Sequence, residues 1–270
     1  MPRVIVLSGA IVRNGDPIVV AVKTRGSIRL YYFTVYSDRV YSTIAGSLPG
    51  SRIVSKSYGS VIELADGEAY ILKPTLRDLL ENFYERVTQV IYPKDALLIA
   101  LEADLKPGSR ILEGGTGSGF LTTIIANIVC PQGRVYTYDI KPYNIEVAKR
   151  NILSFNPNLL ECIEFKVGDI RSKIFEDNLD SAVLDIPDPW EALDTLWLSL
   201  KSGAPLIVFI PSMNQLVKLT DKVLYAKGWI IEKVIETYER EVEVTLESIR
   251  PSRISPFTGF IVVLRRVDRI

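Results

Sequence analysis

The chain has 270 residues, 47% hydrophobic and 24% charged, so it can bury a substantial core as one large or two modest globular domains. It contains no histidine, which removes the commonest metal ligand and general base, and proton transfer must fall to carboxylate, Tyr, Lys or Cys side chains. Two cysteines, Cys130 and Cys162, are too few for a disulfide scaffold or a zinc site and suit buried apolar positions better than a bridge.

No leader pattern and no long uncharged apolar run is visible, so a cytoplasmic location without membrane attachment is expected. A formal net charge of zero argues against a nucleic-acid partner only on average. Residues 1–62 hold Arg3, Arg13, Lys23, Arg25, Arg29, Arg39, Arg52 and Lys56 against Asp16 and Asp38, a balance of +6, which leaves −6 for the remainder. A basic small domain ahead of a mildly acidic large one suits a protein that holds a polyanion with the first and does chemistry with the second.

From Val4 to about Leu72 the chain shows short β-branched and aromatic runs separated by turn residues: VIVL, then IVRNGDPIVVAV with an Asn-Gly turn, RLYYFTVY, IVSKS, VIEL, and AYIL after Ala-Asp-Gly. This predicts a small all-β barrel or sandwich over residues 1–73. Over residues 74–93 the period changes, with Leu76, Leu79, Leu80 and Phe83 at helical spacing after Pro74, and a helical linker is expected. Residues 94–270 then alternate between patterns. Helices are predicted over 94–104, FLTTIIANIV, NIEVAKRNILSF and EALDTLWLSL, and strands over RILEGG, RVYTYDI, IEFKVGD, SAVLDI and APLIVFI. That order predicts an α/β domain with a parallel sheet covered by helices on both faces. At the C-terminus, WIIEKVIETYEREVEVTLESIR and GFIVVLRRV read as two longer strands forming an antiparallel edge.

The segment RILEGGTGSGF places Glu113 at a strand end and Gly115, Gly117 and Gly119 at alternating positions before an apolar helix. Glycine there lets backbone approach a ligand, and the helix start presents unpaired N–H groups. Asp139 ends the next strand, where a carboxylate can accept from ribose hydroxyls. An acid at the loop's start repels a pyrophosphate but suits the sulfonium and ammonium groups of S-adenosylmethionine, so the spacing favours methyl transfer over hydride transfer. The following strand ends in KVGDI, which offers Asp169 and Ile170 near the adenine position.

VLDIPDPW ends the fourth strand after the glycine loop, so Asp185 is expected to face the reactive methyl group. Two prolines make its loop stiff and irregular. Asp188 reads instead as a helix cap, with Pro189 at the first helical position and Trp190 in the core.

PTLRD (74–78), RVTQVIYPKD (86–95), ILEGGTGSG (111–119), VLDIPDPW (183–190), IPSMNQL (210–216) and TGFIVVLRR (258–266), in that order behind a small β domain, resemble the tRNA (adenine-58-N1)-methyltransferase family of prokaryotic and archaeal type. The resemblance covers nearly the whole chain. It implies a Rossmann-like class I methyltransferase domain, S-adenosylmethionine as cofactor, tRNA as substrate and a homotetramer. It also implies that Asp185 is the catalytic carboxylate and Tyr92 an aromatic beside the target base. Ser118, Gly119, Phe120, Leu121, Asp139, Asn144 and Asp169 correspond to cofactor contacts. Family members often carry His-Thr before the last strand, whereas this chain has Phe257-Thr258.

Lys94 reads either as a phosphate contact or as a solvated helix-start residue, and Arg265, Arg266 and Arg269 as phosphate contacts. Two other readings stay open: a methyltransferase of the same fold acting on protein isoaspartate or a small molecule, and a catalytically silent tRNA-binding subunit. The target adenosine, or a neighbouring one as well, is not set by the sequence.

Overall fold

A computed structural model describes residues 10–244, 248–254 and 256–269. Arg3 and the VIVL run lie outside the described residues, as does the end of the EVTLE segment. The chain divides into two compact units, Met1–Tyr84 with Arg240–Arg253, and Glu85–Glu239 with Ile254–Ile270.

In the first unit, strands β1 (Pro17–Lys23), β2 (Ile28–Thr34), β5 (Val61–Leu64) and β6 (Gly67–Leu72) form an antiparallel sheet in the order β2-β1-β6-β5, and β3 (Val40–Thr43) pairs with β4 (Gly46–Pro49) as a separate hairpin. Ile18, Val20 and Val22 of β1 alternate into a core with Leu48, Ile53 and Ile71. Each such side chain contributes about 1.5–3 kcal/mol by leaving water. The IVSKS run is not a strand. Gly50 crosses the Tyr36 carbonyl so closely that a Cβ would sit 1.9 Å from its oxygen, and the turn that follows delivers Ile53 to the core without pairing. The β3–β4 hairpin, which the run lengths did not suggest, closes at Gly46 with φ +111°.

Helix α1 (Leu76–Asn82) starts in a capping box: the Asp78 amide donates to Thr75 Oγ1 at 3.2 Å and the Thr75 amide donates to Asp78 Oδ2 at 2.8 Å. The helical pattern stops there. Residues 85–91 are β-branched at four positions, and the Glu85 and Val87 amides donate to the Asn151 and Ser118 side chains of the second unit, so the expected linker is helical only over α1.

The second unit contains α2 (Pro93–Glu102), β7 (Arg110–Gly114), α3 (Phe120–Val129), β8 (Arg134–Asp139), α4 (Pro142–Phe155), β9 (Ile163–Val167), β10 (Ser181–Leu184), α5 (Leu193–Ser199), β11 (Pro205–Ile210), α6 (Met213–Tyr225) and β12 (Trp229–Glu236). After a hairpin of β13 (Val242–Val244) and β14 (Ile249–Pro251) that belongs to the first unit, β15 (Phe260–Arg266) completes it. Its seven-stranded sheet runs β12-β15-β11-β10-β7-β8-β9, with β15 antiparallel to both neighbours and the strands from β11 to β9 parallel. The order reverses at β7, which puts the ends of β7, β8 and β10 around one crevice.

The C-terminal expectation needs one correction: the long run from Trp229 is not one strand but β12 followed by β13. β12 and β15 form the expected antiparallel edge, with β12 outermost and β15 paired to β11 inside it. Burial explains the placement: Ile261, Val262, Val263 and Leu264 are all buried on both faces, whereas β12 alternates and is mostly exposed.

Cys130 and Cys162 are also corrected. They form a disulfide with a Cα–Cα distance of 6.1 Å, linking the residue after α3 to the residue before β9 across a sequence separation of 32. Among the described residues, no helix is long and apolar enough to cross a membrane.

Candidate active site

The crevice is built on the turn after β7. Gly115, Gly117 and Gly119 have φ of +98°, +52° and +80°, conformations that L side chains rarely adopt. Space forbids a side chain as well: a Cβ on Gly115 would lie 2.2 Å from the Asp185 carbonyl oxygen, and one on Gly119 would lie 2.8 Å from Ala148 Cβ. The loop is pinned to β8, whose Tyr138 carbonyl accepts from the Gly115 amide at 2.8 Å and from the Thr116 amide at 3.1 Å. Ser118 is buried and accepts from the Val87 amide at 2.9 Å, which ties the segment before α2 to the loop.

Gly115, Gly117, Asp139, Asn144, Asp169, Ile170 and Asp185 line a cavity of about 430 Å³ with Tyr138, Lys141, Arg171, Thr88 and Gln89. A smaller adjoining cleft adds Ser118, Phe120, Leu121, Val90 and Ile91, and shares Asp185. Nearly all the residues read as cofactor-binding from sequence therefore converge. Gly119 stands at the start of α3. Glu113 lies behind the loop, 1% exposed.

Glu113 Oε2 accepts from the Thr122 and Thr137 hydroxyls, each at 2.6 Å, while Oε1 is buried without a hydrogen-bond partner among the described residues. Burial pushes this carboxyl up to about 7 against the opposing pull of the two hydroxyls, with Asp185 and Asp139 adding to the rise. Asp139 is held by the Gly117 amide at 3.0 Å and Asn144 Nδ2 at 3.1 Å on Oδ2, and by the Lys141 amide at 2.8 Å on Oδ1. A carboxylate offers about four lone-pair sites, so it keeps acceptor capacity toward the cavity. Asp169 is gripped by Arg171 through Nε at 2.8 Å and Nη2 at 2.8 Å, and this pairing holds its carboxyl below the usual range.

Asp185 follows the last residue of β10, and its amide donates to the Gly114 carbonyl at 2.9 Å. Desolvation in the crevice pushes its carboxyl up to about 6. A carboxylate that is part-exposed, ionised near neutral pH and aimed into a ligand-sized cavity can accept a hydrogen bond from a substrate and stabilise positive charge developing on it.

Tyr92 does not line either cavity. It caps α2 through its carbonyl, which accepts from the Asp95 and Ala96 amides, and the residue is 37% exposed next to Ile91, which does line the cleft. Thr88, Gln89, Lys141 and Arg171 were not singled out from sequence. Thr88 and Gln89 sit in the quoted RVTQVIYPKD segment, but their polar chemistry carries no spacing that announces a ligand.

Three further readings change. Lys94 is neither solvated nor free for phosphate: its side chain is 8% exposed and bonded to Asp95, Thr237 and Thr258. Arg266 and Arg269 both stack on Trp197, with guanidinium carbons 4.4 Å from the ring centroid, and Arg265 lies 3.7 Å from Glu232. These arginines brace α5 and β12. Asp188 occupies the residue before the 3-10 turn Pro189–Ala192, but at φ +52° its side chain makes no cap; only its carbonyl does, accepting from the Glu191 amide, while Trp190 is in the core as expected.

The glycine cradle, the unpartnered Glu113 oxygen and the acids at successive strand ends fit an adenosyl sulfonium. The cavity volume lies within the range of cofactor sites.

Residues 67–255 match the family described as tRNA methyltransferase complex GCD14 subunit. The chain is 33% identical over 222 residues to the tRNA (adenine(57)-N(1)/adenine(58)-N(1))-methyltransferase TrmI of Methanocaldococcus jannaschii, covering 73% of this chain and 78% of that one. It is 34% identical over 241 residues to the tRNA (adenine(58)-N(1))-methyltransferase TrmI of Thermus thermophilus, covering 88% and 93%. Among solved structures, an S-adenosylmethionine-dependent O-methyltransferase from Thermotoga maritima superposes with a TM-score of 0.86 at 28% identity over 96% of each chain. The tRNA (m1A58) methyltransferase TrmI from Aquifex aeolicus superposes with a TM-score of 0.83 at 25% identity, covering 96% of this chain and 100% of that one.

Proposed function

Since this chain belongs to the family of the GCD14 subunit of a tRNA methyltransferase complex, we propose that it methylates N1 of adenosine 58 in tRNA with S-adenosylmethionine as donor. The observation that carries the reading is that Asp185 shares both cavities with the glycine loop. The donor supplies an electrophilic methyl group on a sulfonium.

In this reading Gly115–Gly119 and Asn144 seat the cofactor, Asp139 accepts from its ribose, and Asp169 with Ile170 borders its adenine. Adenine N1 attacks through an in-plane lone pair. It needs alignment more than it needs a base. A bound donor would supply its methyl to N1 and leave as the neutral thioether, so the positive charge would pass to the adenine ring. Asp185 then accepts from the exocyclic N6 amine and stabilises that charge. Because N1 of a folded tRNA is engaged in pairing, the base must leave its stack first, and Tyr92 offers an exposed ring on which it can rest.

The first unit supports a tRNA-binding role: Arg13, Lys23, Arg25, Arg29, Arg39, Arg52 and Lys56 are all exposed. Phosphate contacts of this kind make binding weaken steeply with salt. Assembly as a homotetramer, implied by the family resemblance, belongs to the same proposal and is tested by light scattering.

The deciding experiment is transfer of labelled methyl to unmodified tRNA beside a tRNA lacking adenosine 58. Incorporation that disappears with the altered tRNA supports the reading. Incorporation that persists moves the target, with adenosine 57 the first position to map, since the Methanocaldococcus jannaschii relative is named for both.

A further inference from the structure

Lys94 and Asp95 stand in the first turn of helix α2, two and three residues after Tyr92, yet their side chains are 8% and 0% exposed. The Lys94 ammonium lies 2.9 Å from Asp95 Oδ1 and 3.0 Å from Oδ2, and donates to Thr237 Oγ1 at 2.8 Å and to Thr258 Oγ1 at 2.7 Å. Both threonines in turn hydrogen-bond the acid: Thr258 donates to Asp95 Oδ2 at 2.8 Å and Thr237 to Oδ1. The Thr237 carbonyl also accepts from Lys94, at 3.2 Å. Every polar atom of the cluster is engaged.

The four residues come from three places. Thr237 follows β12, Thr258 precedes β15, and the chain between them leaves the unit for the β13–β14 hairpin. Both ends of that excursion are thus tied to the first turn of α2. That same turn is closed by the Asp95 and Ala96 amides on the Tyr92 carbonyl, at 3.0 Å and 2.9 Å.

Burying an ammonium and a carboxylate costs several kcal/mol per ion before pairing, and an apolar set of similar volume often gives equal or better stability. What the ionic set supplies is a single geometry. Apolar side chains slide over one another, whereas three directed donors on a carboxylate do not. We propose that Lys94, Asp95, Thr237 and Thr258 form a positioning clamp that fixes the start of α2 and thereby the place of Tyr92 against the target base. The inference rests on the methyl-transfer reading above. It gives the Thr258 of the Phe257-Thr258 pair a role that survives the replacement of the preceding residue, since Phe257 is 48% exposed and packs on Phe260.

The test uses the full chain with 3-fluorotyrosine at position 92 and compares Thr258→Val, which keeps shape but removes the hydroxyl, with Thr258→Ser, which restores it. Methyl transfer to tRNA, binding of S-adenosylmethionine by calorimetry and the fluorine resonance are measured on each. We expect kcat to fall by roughly tenfold or more in the valine variant. KM for tRNA and the cofactor Kd should stay within about twofold, which places the loss in the reacting geometry rather than in binding. The fluorine resonance moves in the same variant, and the serine variant recovers both signals.

An unchanged kcat in Thr258→Val overturns the clamp even if Tm drops, because that is the signature of a structural role alone. A lost kcat with an unmoved resonance also overturns it, since the effect then bypasses Tyr92. Should Thr258→Val fail to fold, Thr237→Val against Thr237→Ser carries the same comparison. A wild-type enzyme that leaves tRNA unmethylated counts against the assigned reaction, while the fluorine signal still decides whether the clamp holds Tyr92.

Discussion

The amide of Asp185 donates to the carbonyl of Gly114 at 2.9 Å, and the next glycine, Gly115, has no room for a Cβ because the Asp185 carbonyl oxygen would lie 2.2 Å away. The acid that ends β10 and the loop that ends β7 are therefore set by one piece of backbone. A substitution that changes only the Asp185 carboxyl should leave the loop intact. Asp185→Asn is expected to lower kcat by about 10²-fold or more, as for loss of one charge-stabilising group, with cofactor affinity near that of the parent. Single-turnover methyl transfer and calorimetry on the same preparation check it; an asparagine variant with full turnover refutes the role of the carboxyl.

Gly115→Ala should behave oppositely. The added methyl meets backbone rather than a flexible side-chain end, at φ +98°. The left-handed backbone alone costs about 1–2 kcal/mol, and relief of the overlap must move either the loop or Asp185. The expected result is lost cofactor binding together with a lower Tm, read by calorimetry and thermal melting.

Two raised carboxyls give the protein a defined pH response. Asp185, pushed up to about 6 by burial, is protonated below that pH and cannot then accept from an N6 amine. Thus kcat/KM is expected to rise as pH increases through about 6, and Asp185→Asn should remove that limb. Stability runs the other way. Glu113, pushed up to about 7, holds its proton in the folded state at pH values where the unfolded chain has released it. The favourable contribution is full below the unfolded pKa, near 4.3, and is lost as pH rises through about 7, on the order of 3 kcal/mol. Denaturant melts between pH 4.5 and 7.5 should show that decline, and Glu113→Gln should reduce it, leaving the part that the raised Asp185 carboxyl contributes.

Much of this was legible in the sequence because strand ends and glycine spacing are local. Glu113, Asp139, Asp169 and Asp185 each stand at or within two residues of a strand end, and the parallel topology brings such ends together without further information. Lys94 was not legible. Its partners Thr237 and Thr258 lie 143 and 164 residues away, and nothing in YPKD distinguishes a lysine facing solvent from one folded back onto an acid. Arg266 and Arg269 misled for a related reason: terminal arginines suggest phosphate until both are seen to lie over the Trp197 ring. The burial of β15 was written in FIVVL, an unbroken apolar run, where the edge strand β12 interrupts its own with Glu232 and Lys233.

The cysteine pair makes a prediction that the count of two cysteines concealed. The bridge from Cys130 to Cys162 spans a separation of 32 residues that includes all of β8 and α4, the elements that place Asp139 and Asn144. Closing a loop of that size in the unfolded chain should stabilise the fold by roughly 3–4 kcal/mol in the chain-entropy account. Reduction, or the Cys130→Ser and Cys162→Ser double variant, is therefore expected to lower Tm by about 2–4 °C per kcal/mol lost. Neither cysteine lines the cavity, so cofactor affinity at a temperature well below the melt should be unchanged. Thermal melts with and without reductant, on parent and double variant, decide the matter. Reductant should shift the parent and leave the variant where it is, and equal melting of reduced and oxidised parent would show that the bridge contributes nothing.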